Sequence, residues 1–182
     1  MADHPEVSKG GFDMKKGLWK KTACLAAAAL MVFAMTACGG ESEKIYAGYY
    51  SATIPEGFTV NEYESEFVRQ NAEVEAYEDK ISVDILTGTA EDNIQSSIEY
   101  WGGKHQRLED VTYGDRTWKV ETFTWNGDTP SCMFYTDIED NKHVLVTCYM
   151  LAVDSEEVKA LMESFKIQEG AYEKNQEFLS NM

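Results

Sequence analysis

The chain has 182 residues, 43% hydrophobic and 12% aromatic, which suits one ordinary domain with length to spare and excludes disorder throughout. With 32 Asp and Glu against 16 Lys and Arg, the formal net charge is −16. A surface this acidic repels phosphate backbones and anionic head groups, so it argues against nucleic-acid binding and leaves cationic partners open.

From Met14 the sequence runs MKKGLWKKTACLAAAALMVFAMTAC. Lys15, Lys16, Lys20 and Lys21 precede an apolar segment from about Ala23 to Met35, and small residues follow it. A basic flank, a short apolar core and a small-residue exit are the parts of a secretory signal. As a helix the core would reach about 20 Å, short of the roughly 30 Å needed to span a bilayer. Met35-Thr36-Ala37-Cys38 resembles the lipobox of bacterial lipoproteins, with Met35 where Leu is usual. The resemblance implies that the Cys38 thiol receives a diacylglycerol group and becomes the first residue of the mature chain. Two acyl chains give stable anchoring, each buried CH₂ adding about 0.8 kcal/mol. The expected location is the extracytoplasmic face of the cell membrane, with the lipid as the membrane contact. Met1 to Asp13 lie outside this scheme and read as an unused upstream start or a cloning remnant. Removing residues 1–37 leaves 11 basic and 29 acidic residues, net −18.

Residues 38–44 read as the lipidated cysteine and a flexible tether, residues 45–168 as a single domain, and residues 169–182 as a polar tail with a disordered end. Within the domain, "YYSATIPEGFTV" places two extended segments about a Pro55-Glu56-Gly57 turn. Ile81, Val83 and Ile85 alternate with Ser82 and Asp84 as in a half-buried strand. Thr89 followed by Asp92 predicts a helix start; Ile94, Ile98 and Trp101 fall on one helical face, and Gly102-Gly103 ends it. Strands then follow about Gly114-Asp115, after "NGDTP", and about Asp140-Asn141. Asp154 is the expected cap of a second helix whose buried stripe is Val158, Leu161, Met162 and Phe165.

Two amphipathic helices and a mainly antiparallel sheet of about six strands make an α+β sandwich. The order of hairpin at "SATIPEGF", strand at "ISVDIL", helix ending in "YWGG", three-strand meander and helix ending in "LMESFKI" resembles the Mog1/PsbP-like fold over roughly Tyr46 to Ile167. That superfamily includes nuclear transport factors, photosystem accessory proteins and many bacterial lipoproteins. The resemblance implies a non-enzymatic, partner-binding role by analogy of fold alone.

Cys132 and Cys148 are the cysteines of the mature domain other than Cys38. If Ile138 pairs with Lys142 across the last hairpin, the two cysteines lie opposite each other on the core face; a two-residue loop at Asp140-Asn141 sets Cys132 against Tyr149 instead. A cross-strand disulfide and two buried thiols both fit, and the absence of C-x-x-C leaves little for redox catalysis.

Signatures of chemistry are sparse. The sequence has no zinc-binding His spacing, no G-x-S-x-G or S-x-x-K, and no phosphate loop, so no metal, cofactor or catalytic residue is assigned. His105, in a glycine-bounded loop, and His143, opposite the cysteines, read as exposed polar residues. Asp137, Glu139, Asp140 and Asn141 read as a solvated hairpin tip, and Glu62, Glu64, Glu66, Glu73, Glu75 and Glu78 as exposed acids. On the strand from Trp118 to Trp125, Trp118, Val120 and Thr122 face one way, and Lys119, Glu121, Phe123 and Trp125 the other. One aromatic set belongs to the core. The other lies under a helix or, if exposed, forms with Tyr149 a patch of Phe123, Trp125 and Tyr149 for an envelope protein or polymer. The leading reading is a lipid-anchored, non-catalytic binding domain. An envelope hydrolase using carboxylates and a solute-binding accessory of a transporter are the alternatives.

Overall fold

The computed structural model describes residues 44–70, 78–125, 127–139 and 141–182. Cys38, the leader and Glu73 and Glu75 lie outside them. The fold is α+β and its sheets are antiparallel. In chain order the elements are β1 (Tyr50–Ser51), β2 (Thr59–Val60), β3 (Glu66–Gln70), β4 (Glu78–Thr87), α1 (Ala90–Trp101), a 3-10 turn (Gly102–Lys104), β5 (His105–Arg107), β6 (Val111–Tyr113), β7 (Arg116–Trp125), β8 (Thr129–Glu139), β9 (Lys142–Tyr149), α2 (Glu156–Ser164), β10 (Lys166–Ile167) and α3 (Ala171–Ser180).

An eight-stranded sheet runs β2-β3-β4-β9-β8-β7-β5, with β6 also paired to β7. It exceeds the expected six strands because β5 and β6 both pair along the ten-residue β7, at opposite ends. The Pro55 turn forms, with Phe58 N–H donating to Pro55 O at 3.3 Å, but its flanking segments do not pair with each other. Instead β2 joins the large sheet, and β1 pairs with β10 next to α2.

The two faces of the sheet are covered differently. On the cysteine face, Phe67, Ile81, Val83, Trp118, Val120, Phe134, Val144 and Val146 meet Val158, Leu161 and Met162 of α2, the expected stripe, and Tyr49 and Tyr50. Tyr50 stacks on Phe165 at 5.2 Å and donates its hydroxyl to Glu64 O at 2.6 Å, so the ring is buried without an orphaned polar atom. On the other face α1 lays Ala90 and Ile94 against Tyr135. Its start is fixed twice: Thr89 Oγ1 accepts from Asp92 N–H at 3.1 Å, and Ala90 N–H donates to Asp137 Oδ1 at 2.7 Å. Gly102, at φ 60°, ends it.

Two boundaries shift. Ser155, not Asp154, caps α2, accepting from Val158 N–H at 3.3 Å. The segment expected as a tail with a disordered end is α3, whose Ala171 is buried. Here tertiary packing outweighs polar composition. Gly48 lies so close to α3 that a Cβ there would stand 2.8 Å from Lys174 O, and Asn175 Nδ2 donates to Ala47 O at 3.2 Å. Among the described residues no helix is long and apolar enough to cross a membrane.

Candidate functional site

The site lies where the C-terminal end of α1, the edge strand β5 and the far end of β7 meet. Successive residues of β7 alternate between faces, so Glu121 and Phe123 both turn toward α1. From α1, Ser97 and Trp101 are four residues apart and share that side of the helix. The 3-10 turn then reverses the chain and sets His105 directly opposite Phe123 in the β5–β7 pairing.

Glu121 has no solvent exposure and sits at the centre of a ring of donors. Ser97 Oγ–H donates to its Oε1 at 2.8 Å and Tyr135 O–H to its Oε2 at 2.9 Å, while His105 Nδ1–H donates to Oε1 in close contact. A buried carboxylate needs this satisfaction, since an ion removed from water without partners is strongly disfavoured. Burial, and then the neighbouring Glu121 charge, push the Tyr135 phenol well above its ordinary range, which keeps it a donor. The His105 ring is held flat between Trp101 at 5.4 Å and Phe123 at 4.9 Å, nearly parallel to both. With both ring faces covered and Nδ1 engaged, the ring edge that carries Nε2 is what His105 has left to offer. Among the described residues nothing bonds it.

Beside this stack lies a cavity of about 600 Å³ lined by Trp101, Lys104, His105, Phe123, Trp125 and Tyr149, among others. Phe123, Trp125 and Tyr149 contact one another edge to face, with centroids 5.0 to 6.4 Å apart. Their exposure differs: Phe123 is 6% exposed and so belongs to the wall, whereas Trp125 is 43% and Trp101 51% exposed and stand at the opening. Lys80 holds its ammonium 5.0 Å from the Tyr149 ring centroid.

Two expectations from the sequence fail here. Neither His105 nor His143 is exposed, because α1 and the segment leading into it cover that face of the sheet. His143 is fully buried, donates Nδ1–H to Gly88 O at 2.9 Å, and leaves Nε2 unpartnered among the described residues. Glu121, Ser97, Trp101, Lys104 and Tyr135 were not singled out as site residues. One signal was present, since the alternation of β7 sets an acid on the same side as Phe123 and Trp125.

Cys132 and Cys148 lie directly opposite each other as buried thiols. The loop between Glu139 and Lys142 has two residues, yet the register shifts between Asp137 and Glu139 and returns the cysteines to alignment. The hydrogen bond with the facing Cys132, and then burial, raise the Cys148 thiol well above its ordinary value, so this sulfur is not poised as a nucleophile. Nor do the described residues contain a group of three or more His, Cys, Asp or Glu able to hold a metal ion.

The geometry limits the chemistry. Ser97 lies at 3.4 Å from Nδ1, the same nitrogen that faces Glu121, so His105 cannot activate it as the histidine of a serine triad does from Nε2. No carboxylate lines the cavity, so a pair facing each other across it does not exist among the described residues.

No protein-family model and no curated protein matches the chain. Among solved structures, a crystal structure from Bacteroides thetaiotaomicron is similar at 16% identity and a TM-score of 0.37, covering 68% of this chain and 47% of that one. The chain thus spans about half the length of that protein. Cyanobacterial PsbP (CyanoP) from Synechocystis is similar at 15% identity and a TM-score of 0.38, covering 71% of this chain and 96% of that one. The second bears the name of the superfamily that the element order resembles, but overlap of this size carries no conclusion about what this chain does.

Proposed function

We propose that the chain is a lipid-anchored extracytoplasmic protein whose described domain is non-catalytic and binds a component of the cell envelope at the cavity between Trp101, Trp125 and Tyr149. The observation that carries this reading is the cavity itself. Its rings are held in place by one another and by the Trp101–His105–Phe123 stack, which is in turn fixed from behind by Glu121, Ser97 and Tyr135. A concave, aromatic surface with few polar groups, built on strand ends rather than on long loops, is the form a preorganised binding site takes. The Ser97 geometry and the lack of carboxylates in the wall support binding over hydrolysis.

Two measurements test it. Full chain made in a bacterial host should lose its leader, gain the mass of a diacylglycerol at Cys38 and partition with membranes; an uncleaved, water-soluble product overturns the anchoring. Separately, the full chain carrying Cys38→Ser, which has no site for the lipid, should co-sediment with purified envelope fractions, and adding Trp125→Ala should weaken this about 30-fold or more without a large change in melting temperature. Equal sedimentation of the two variants, or none by Cys38→Ser alone, overturns the site.

A further inference from the structure

The charge around the cavity does not match the charge of the chain. In a protein of net −16, the described residues lining this cavity include Lys104 and His105 but no Asp or Glu. Lys104 is exposed and, like Lys142 and Lys174, has no carboxylate partner among the described residues, whereas Lys44, Lys80, Lys119 and Lys159 each have one. His105 is 8% exposed and lines the same space. Glu121, on the Nδ1 side of His105, is fully buried and already accepts three hydrogen bonds, and Asp154 lines the adjoining cavity that Lys104 also borders. A cavity bordered by Lys104 and His105, with no acid among the described residues that line it, has a local field favourable to anions within a molecule whose long-range field is not.

We infer that the cavity takes a small anion with a flat apolar body, that is, a ring-bearing carboxylate. The ring packs against Trp125, Tyr149 and Trp101, and the carboxylate meets Lys104 Nζ. His105 meets the ligand's polar edge through Nε2. This rests on the cavity being the binding site proposed above and adds the class of ligand.

The test is calorimetric titration of the full chain with three probes of one shape: naphthalene-2-carboxylate, its neutral carboxamide, and 2-naphthylmethylammonium. The carboxylate is expected to bind saturably, and the amide and the ammonium at least about 10-fold more weakly, the scale of one charge-assisted hydrogen bond. Lys104→Met should remove about that factor for the carboxylate and leave the amide unchanged; because Lys104 is exposed, the variant should melt as the wild type does. Should the amide or ammonium bind as well as the carboxylate, or Lys104→Met change nothing, the ligand class is wrong while the cavity stands. Should none of the three bind, and Trp125→Ala also leave envelope binding intact, both readings fall together.

Discussion

The two faces of the large sheet are built from the same strands and have different contents. On the cysteine side twenty described residues form one buried cluster with α2 and the tyrosines of the N-terminal segment; on the α1 side the corresponding apolar cluster has three, and Glu121, His105 and His143 are buried near it. The first arrangement maximises apolar area removed from water, worth about 25 cal/mol per Å². The second gives up part of that gain to hold polar groups that need specific partners. A cavity walled by aromatic rings opens on the second side. The lesson is that stability and the candidate site are assigned to opposite faces of one sheet by strand parity.

Mutations on each face sharpen the contrast. Phe134→Ala, fully buried on the cysteine side, should cost about 3–5 kcal/mol in denaturant unfolding; a cost near that of a surface change would mean that this side is not the stabilising one. Glu121→Ala should cost about 2–4 kcal/mol, because three donors lose their acceptor. Combining it with His105→Leu should give back about 1 kcal/mol or more, since deleting both partners leaves less unsatisfied than deleting one. Strict additivity of the two would break the claim that they act as a pair. The smallest effect is expected at the exposed start of α1, where Lys119 and then Arg107 hold the Glu91 carboxyl below its ordinary value of about 4.5. Its stabilisation is full above that value and is lost as pH falls through the depressed one. Glu91→Gln should therefore flatten melting temperature against pH in that acid window alone, and an unchanged slope would show the ion pairs to be idle.

Much of the architecture could be read from the chain because it follows local rules. Alternation in β4 and β7, the Thr89 cap and the α2 stripe all depend on spacing within a few residues, and each is present in the fold. What could not be read depends on distant contacts. α3 looks like a solvated tail until Gly48 and Ala47 are brought to it, and β1 takes its partner from more than a hundred residues away. The site behaves likewise. Glu121 was placed on the right side of its strand, but nothing near it in sequence announces that Ser97, His105 and Tyr135 will surround it. The cysteine register shows a third limit, since both loop readings were sound in part and only the bulge near Ile138 reconciles them.

The clasp between residues 47–50 and the C-terminal segment has a mechanical consequence. Asn175 holds Ala47, Gln168 N–H donates to Tyr49 O at 2.8 Å, and β1 lies antiparallel to β10. A pull transmitted through the residues just ahead of this point would reach α3 and the two-residue ladder before it reached the eight-stranded sheet. Traction applied ahead of Ala47 would thus be absorbed at this fastening, and the aromatic cavity would keep its shape while it yields.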